Sequence, residues 1–335
     1  MTIRKTGMIV CVGLLAVLLP ESFSLVRNWF HDPQTEETES TLTQPFTPAV
    51  PTEDVETGTH WASYRDFPTL QKLGYGFVIT TVHPKDRQEW TETFDAAQAT
   101  GLKLIVGLYP EPYSMVDGKW QISSEGEAFL RYAASRDSLV KAIFVYNEPL
   151  WVNPLTKKND YCGALSAAEL RDLRTAIRGV WPDAKVYHDL GRPSEYAPGG
   201  AQPLNFPCVG DRYADTKGVT DFAGIWFYPF DASGYRKSYA LGELRREITY
   251  VQTQMHALPI VLAQSFKCDH CRPAYRFPSP EEMKDWNCAT RALGPYAISW
   301  YPWRQSSYDD DLDKHPEAWS MSSPGACTSP PSKSE

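Results

Sequence analysis

The sequence predicts a (β/α)8 barrel on three observations. Eight short apolar or β-branched segments recur along the chain, helix-like segments separate them, and together they occupy roughly 250 residues, the usual size of this barrel. Segments such as 104–106 and 260–262 are apolar throughout, as expected of parallel strands buried on both faces. A doubly wound open sheet is the alternative, but no glycine-rich phosphate loop follows any of the predicted strands.

The predicted strands and helices alternate in order. The strands are residues 60–64, 76–82, 102–109, 142–147, 185–189, 222–228, 260–264 and 296–300. The helices are residues 66–73, 87–100, 124–138, 167–180, 241–256 and 280–293, with a weaker helical segment after Arg192. Ser166 precedes Glu169 by three residues and Ser279 precedes Glu282 by three, which are start signals for two of the helices.

The segments outside the barrel have different compositions. Residues 1–24 carry a short positive start and about a dozen apolar residues, too few to span a bilayer, which predicts a signal peptide or signal anchor rather than a buried segment. Residues 25–57 form an acidic Thr- and Pro-rich linker, 58–320 the barrel, and 321–335 a loose Ser- and Pro-rich tail. We therefore expect a secreted, periplasmic or extracellular protein, membrane-bound only through an N-terminal anchor.

Charge and aromatic content limit the ligand class. The chain of 335 residues has 33 Lys and Arg against 41 Asp and Glu, a net charge of -8, which argues against nucleic acid as a partner. Aromatic residues make up 13% of the chain, including 11 Trp, and such rings stack well on sugars. The expected partner is a carbohydrate, and no cofactor is expected.

In a (β/α)8 barrel, the chemistry lies where the strands end. The predicted strand ends are rich in acidic, amide and aromatic side chains. The candidate catalytic and substrate-binding residues are Tyr109, Glu111, Asn147, Glu148, Trp151, His188, Asp189, Trp226, Tyr228, Gln264, Trp300 and Trp303. For His188, a role as a donor in the site and a role as a buried barrel histidine both remain open.

Residues 144–149, which read Phe-Val-Tyr-Asn-Glu-Pro, resemble the fourth-strand Asn-Glu-Pro signature of the large clan of (β/α)8 glycoside hydrolases. The resemblance implies that Glu148 is the general acid/base and that Asn147 binds the sugar hydroxyl beside the anomeric carbon. It also implies that Trp300 is the platform beneath the sugar and that Tyr228 supplies a hydroxyl in the active centre. A carboxylic acid is needed to protonate the glycosidic oxygen as the bond breaks.

The chain departs from this clan at the seventh strand, where Gln264 stands at the position of the nucleophilic Glu. A neutral amide cannot form the glycosyl ester. Three alternatives remain: Glu111 or Asp189 acts as the base of an inverting hydrolase; an N-acetylated substrate supplies the nucleophile and Gln264 or Asn147 orients it; or the barrel is an inactive carbohydrate-binding or scaffold protein. An interaction module on a membrane stalk is a further possibility.

The cysteines favour an oxidising compartment. Without Cys11 in the signal, six remain, an even number that suits disulfides: Cys162, Cys208, Cys268, Cys271, Cys288 and Cys327. We expect Cys162 to pair with Cys208. The segment 268–271 resembles half a zinc site or a redox pair, but no second Cys-x-x-Cys or His-x-x-x-His occurs, so disulfides rather than a metal are expected.

Overall fold

The computed structural model describes residues 54–147, 149, 152–153, 158–159, 165–196, 215–271 and 273–327. Eight parallel strands close into a barrel in which each strand pairs with its chain neighbours and the last pairs with the first. These strands are β1 (Glu56–His60), β2 (Phe77–Val82), β3 (Lys103–Leu108), β4 (Val140–Asn147), β5 (Val186–Gly191), β6 (Phe222–Phe227), β7 (Leu258–Gln264) and β8 (Ala297–Tyr301). The predicted (β/α)8 fold is thus confirmed.

Helices pack around the outside of the barrel. They are α1 (Phe67–Lys72), α2 (Arg87–Thr100), α3 (Ser124–Ala134), α4 (Ala167–Val180), α5 (Lys237–Tyr250), α6 (Pro280–Arg291) and α7 (Pro316–Ser322). Both predicted helix starts are capping boxes, in which Ser166 pairs with Glu169 and Ser279 pairs with Glu282. No helix in the described part of the chain is long and apolar enough to cross a membrane.

Short strands in the described parts of the loops form three antiparallel ribbons. Tyr113–Val116 pairs with Lys119–Ile122, Val152–Asn153 with Lys158–Asn159, and Phe266–Lys267 with Asp310–Asp311. The third ribbon joins the loop after β7 to the loop after β8, so these two loops are held together above the barrel.

Side chains of the strands alternate between two cores. One core fills the barrel and includes Phe77, Ile105, Phe144 and Leu262. The other lies between the barrel and its helices and includes residues of alternate parity, such as Val106 and Val261. Both cores are typical of this fold, and the alternation decides which residue at each strand end faces the barrel axis.

The first strand begins earlier than predicted. The sequence placed it at 60–64, whereas β1 is Glu56–His60, and Trp61 ends it with a left-handed backbone (φ 61°). Its composition hid it, because Thr57 and Thr59 are polar yet fully buried: Thr57 accepts a hydrogen bond from Arg291 and Thr59 donates one to the carbonyl of Trp300. The barrel therefore includes two residues that the sequence assigned to the linker.

The C-terminal segment is also more ordered than predicted as far as residue 327. The end of α7 packs on the barrel, where the hydroxyls of Ser322 and Tyr75 lie 2.6 Å apart, and a disulfide joins Cys327 to Cys288. These contacts correct the expectation of a loose tail for residues 321–327. Residues 328–335 lie outside the described residues, as do the predicted signal and most of the linker. The helical segment predicted after Arg192 is described only as far as residue 196, over a 3-10 helix at Pro193–Tyr196.

Candidate functional site

A cleft of about 600 Å³ opens at the carboxyl ends of β1 to β4, beneath the loop after β8. Its described lining combines aromatic rings with polar and acidic groups. These include Trp61, Tyr64, Tyr109, Phe144, Thr81, Glu89, Glu111, Asn147, Arg304 and Gln305. The volume is within the range of small-ligand sites, and rings beside carboxylates suit a polyhydroxylated ligand.

The fourth strand delivers Asn147 to this cleft. Asn147 is the last residue of β4, is exposed and lines the cleft. The register of β4 against β5 shifts between Phe144 and Tyr146, so Phe144 faces the barrel axis whereas Tyr146 turns to the outer core. Glu148 and Trp151, the predicted acid and one predicted aromatic, lie outside the described residues.

The third strand contributes Tyr109 and Glu111. Both line the cleft, and Tyr109 has 62% of its surface exposed. Glu111 is half-buried three residues beyond the end of β3. It is the one predicted catalytic carboxylate that the described residues bring into the cleft.

Asp189 lies deeper, in the barrel interior. Its carboxylate accepts a hydrogen bond from the hydroxyl of Tyr187 and lies 3.7 Å from Nε2 of His60, and neither Asp189 nor His60 has exposed surface. Gly224 on β6 leaves room for this cluster, because a Cβ there would come within 2.5 Å of both Asp189 and Tyr187. Asp189 therefore cannot contact water in the open cleft, which argues against the inverting-base role considered for it.

Burial shifts the pKa values of both Asp189 and His60 toward their neutral forms. Desolvation raises the pKa of Asp189 to about 7, although the hydrogen bond from Tyr187 opposes the rise. Desolvation also lowers the pKa of His60 to about 3, so its imidazole is uncharged. His60 and Asp189 therefore do not form an ion pair. The cluster holds a neutral imidazole beside a carboxyl group that titrates around neutral pH.

Gln264 ends β7 as predicted, but its amide is fully occupied by main-chain groups. Its side-chain nitrogen lies 3.1 Å from the carbonyl oxygen of Phe230, 3.3 Å from that of Phe266 and 2.9 Å from that of Arg276, and its two N–H groups are shared among these three acceptors. Its oxygen accepts from the main-chain N–H of Phe230 at 3.0 Å. Gln264 has no exposed surface, so it ties together the loops after β6 and β7 and is not available to orient a substrate.

Three aromatic rings stack at the ends of β6 and β8. Trp226 and Tyr228 lie 6.0 Å apart between ring centroids, and Tyr301 lies 6.4 Å and 5.9 Å from them, with all three rings within about 26° of parallel. Burial raises the pKa of Tyr228 well above its ordinary value, so its hydroxyl stays protonated. Trp226 and Tyr228 are half-buried beside the barrel axis and do not line the described cleft.

Three other predicted residues face away from the barrel axis. Trp300 has no exposed surface and donates from its indole nitrogen to the carbonyl of Ser322 at 2.8 Å, so a sugar cannot stack on it. Trp303 is 2% exposed and packs on Trp319. His188 is fully buried and stacks on Tyr146, and desolvation lowers its pKa to about 3. These positions argue against ligand contact for Trp300 and Trp303, which belong to the outer layer. For His188 they favour the buried barrel histidine over a donor in the site.

The sequence missed several residues at the mouth of the barrel. Trp61 and Arg304 line the cleft, and His60, Tyr187 and Tyr301 lie on the barrel axis. Arg304 is bound by two acids, Asp313 at 2.5 Å and Asp66 at 3.2 Å. In β8, Ala297 faces the barrel interior, and every second residue after it does the same. This alternation identifies Tyr301, not Trp300, as the aromatic residue of β8 that faces the barrel axis.

Disulfides form between Cys268 and Cys271 and between Cys288 and Cys327, which confirms the expectation of disulfides for these four residues. Cys162 and Cys208, the predicted pair, lie outside the described residues. Among the described residues, one group of three could hold a metal ion, namely Cys268, His270 and Cys271. None of the three is among the described residues that line the cleft.

Solved structures with this fold are similar over most of the chain. A β-galactosidase from Halorubrum lacusprofundi has a TM-score of 0.53 at 13% identity, and the alignment covers 82% of this chain and 58% of that protein. The GH53 catalytic domain of Ignisphaera aggregans has a TM-score of 0.46 at 13% identity, with 78% and 88% covered. A β-1,4-D-mannanase from Cryptopygus antarcticus has a TM-score of 0.46 at 10% identity, with 80% and 89% covered.

No family profile matches this sequence, and no curated protein matches it either. At such low identity the likeness to the β-galactosidase concerns the fold alone, a closed barrel of eight parallel strands surrounded by helices.

Proposed function

We propose that this barrel hydrolyses a carbohydrate, with Glu148 as the general acid and Glu111 as the base that activates water in an inverting reaction. One observation carries the proposal: Glu111 and Asn147 line the same open cleft, together with the rings of Trp61 and Tyr109. Glu148 directly follows Asn147 in the sequence, and an acid and a base on opposite sides of a glycosidic bond are what inversion requires.

The bonding of Gln264 supports an inverting scheme over the other routes to hydrolysis. Its amide is held by main-chain groups, so the seventh strand supplies neither a nucleophilic carboxylate nor a group that could orient an acetamido substituent. If the substrate is an N-acetylhexosamine polymer, that orienting role falls to Asn147, which is exposed in the cleft.

The test is hydrolysis of glucans, mannans, xylans, galactans and N-acetylhexosamine polymers by the wild type and three variants. We expect Glu148→Gln and Glu111→Gln each to reduce kcat by about 10²–10⁴-fold, the usual contribution of a general acid or base. Glu127→Gln is the matched control, because Glu127 lies on the outer helix α3 and pairs only with Arg131 in the described contacts. Full activity of Glu111→Gln would reject Glu111 as the base.

The anomer released first separates inversion from retention and is read by proton NMR early in the reaction. Inversion is expected because a base at Glu111 delivers water to the face opposite the leaving group. Release of the retained anomer would contradict the role of Glu111. It would favour assistance by a substrate acetamido group.

A second candidate function is sugar binding without hydrolysis, which the loss of a seventh-strand carboxylate at Gln264 favours. It predicts measurable binding by calorimetry, no turnover on any polymer, and an unchanged Kd in Glu148→Gln.

We also propose that the protein is exported, since a structural disulfide persists in an oxidising compartment and two are present in the described residues.

A further inference from the structure

The loop after β7 carries two sulfur atoms and an imidazole in one small volume. The potential ligand atoms of Cys268, His270 and Cys271 all lie within 4.8 Å of one another. We propose that these residues form a redox-gated site for a borderline or soft divalent metal ion such as Zn²⁺, which the loop binds when the disulfide between Cys268 and Cys271 is reduced. Two thiolates and an imidazole are ligands that this class of ion prefers.

The orientation of His270 fits a metal ligand. Its Nε2 lies 3.5 Å from Sγ of Cys268, close enough for one ion to contact both atoms. Its Nδ1 lies 3.7 Å from a carboxylate oxygen of Asp309. Ligating histidines commonly turn their second ring nitrogen to a carboxylate, which fixes the ring and raises its basicity.

Asp309 is itself held in place. The same carboxylate oxygen accepts a hydrogen bond from the main-chain N–H of Asp269 at 2.6 Å. The ribbon that pairs Phe266–Lys267 with Asp310–Asp311 brings Asp309 alongside the cysteine loop. The orienting carboxylate therefore belongs to the loop after β8, whereas the three ligands belong to the loop after β7.

The base of the loop is closed by main-chain hydrogen bonds, and His270 is exposed. Cys268 and Tyr275 exchange two main-chain hydrogen bonds of 2.9 Å and 3.0 Å, which close the loop. Cys268 is buried, Cys271 is half-buried, and the side chain of His270 is 63% exposed. An ion can thus reach the site from solvent, and water can complete a four-coordinate shell.

The redox step balances as ordinary thiol–disulfide exchange. Two molecules of a small thiol reduce the disulfide to two cysteine thiols and are oxidised to one small-molecule disulfide. Binding of the ion then releases two protons, so that the site holds two thiolates and a neutral imidazole. The metal takes over from the disulfide in closing the loop.

The experiment uses the full chain, reduced with a phosphine, freed of reductant without oxygen and titrated with CoCl₂. We expect one Co²⁺ per chain with thiolate-to-cobalt absorption that ZnCl₂ displaces, and none of this absorption before reduction. Cys271→Ser should abolish that absorption, whereas Cys288→Ser, which breaks the other described disulfide, should retain it. Equal absorption in Cys271→Ser, equal absorption without reduction, or none in the reduced wild type would overturn the proposal.

Asp309→Asn provides a test that leaves all three ligands in place. Loss of an orienting carboxylate typically weakens metal binding about 10–100-fold, so the Kd for Co²⁺ should rise by at least 10-fold in this variant. Circular dichroism in the unreduced state checks that the variant is folded. An unchanged Kd would mean that His270 is not oriented as proposed.

Discussion

Gln264→Glu would restore the carboxylate that glycoside hydrolases of the resembled clan carry at this position, yet we expect it to destabilise the protein rather than to create a nucleophile. The wild-type amide donates to three main-chain carbonyl oxygens. An ionised carboxylate has no donor. Because position 264 has no exposed surface, its negative charge would face these carbonyl oxygens without contact with water.

The cost follows from the lost hydrogen bonds and from the proton that the new side chain must keep. A protonated carboxyl has one O–H in place of two N–H groups, so two of the three carbonyl oxygens lose their donor, at about 1 kcal/mol each. Keeping a carboxyl of unfolded pKa ~4.3 protonated at about pH 7 costs roughly 4 kcal/mol more. The sum, about 6 kcal/mol, is comparable to the entire stability of many domains, ~5–15 kcal/mol.

The assay is urea unfolding followed by tryptophan fluorescence, with disulfides intact, near pH 5 and near pH 7. Because the folded pKa of the new carboxyl lies above the unfolded value, the cost of keeping it protonated is small below about pH 4.3 and grows as the pH rises. The cost of the lost hydrogen bonds does not depend on pH. We expect a deficit of roughly 3 kcal/mol near pH 5 and about twice that near pH 7. Gln121→Glu, on an exposed hairpin strand, is the control. A variant as stable as the wild type at both pH values would refute the bonding described for Gln264.

Three further changes test other parts of the barrel. The wild type loses stability as the pH rises from 3.8 to about 7, because folding raises the pKa of Asp189 over that range. Asp189→Asn removes this loss, so its free energy of unfolding relative to the wild type should rise across the window, by roughly 4 kcal/mol near pH 7, as measured by urea unfolding. A difference that does not change with pH would contradict the raised pKa. Trp300→Ala should cost about 3–5 kcal/mol of stability and leave the sugar affinity of the folded protein unchanged, as measured by calorimetry, because the ring is fully buried beside Ser322. Replacing both Cys288 and Cys327 with Ala should cost about 4 kcal/mol for a loop of 39 residues, and no change in the urea midpoint would mean that this disulfide does not hold the C-terminal segment.

The closed barrel could be predicted because most of its strands are short apolar segments at regular intervals, and buried parallel strands have this composition. The first strand could not, since its Glu-Thr-Gly-Thr-His sequence is polar. Thr57 and Thr59 are buried only because Arg291 and the carbonyl of Trp300 satisfy their hydroxyls. Such partners, more than 200 residues away in the chain, leave no local signal.

The candidate site could be predicted as a region but not residue by residue. The apolar segments predict where the strands end. Whether a side chain faces the barrel interior or the helices depends on the alternation along its strand, which places Tyr301 in the interior and Trp300 on the helix side. In β4 the register shift between Phe144 and Tyr146 breaks that alternation, so counting alone fails there. Gln264 has the parity of the interior, yet its amide turns to loop carbonyls that no sequence pattern identifies.

The position of the cleft bears on which carboxylates could act together. Its described lining comes from β1 to β4, from α2 and from the loop after β8, and the seventh strand contributes no described residue to it. Glu111, the carboxylate that the proposal uses as the base, lines the described part of the cleft and follows β3, the strand that pairs with β4. The proposal requires that the carboxyl groups of Glu111 and Glu148 lie ~6.5–9.5 Å apart, the spacing that inversion needs to admit a water molecule. Under this proposal the released anomer is inverted, and a carboxylate at position 264 is not required.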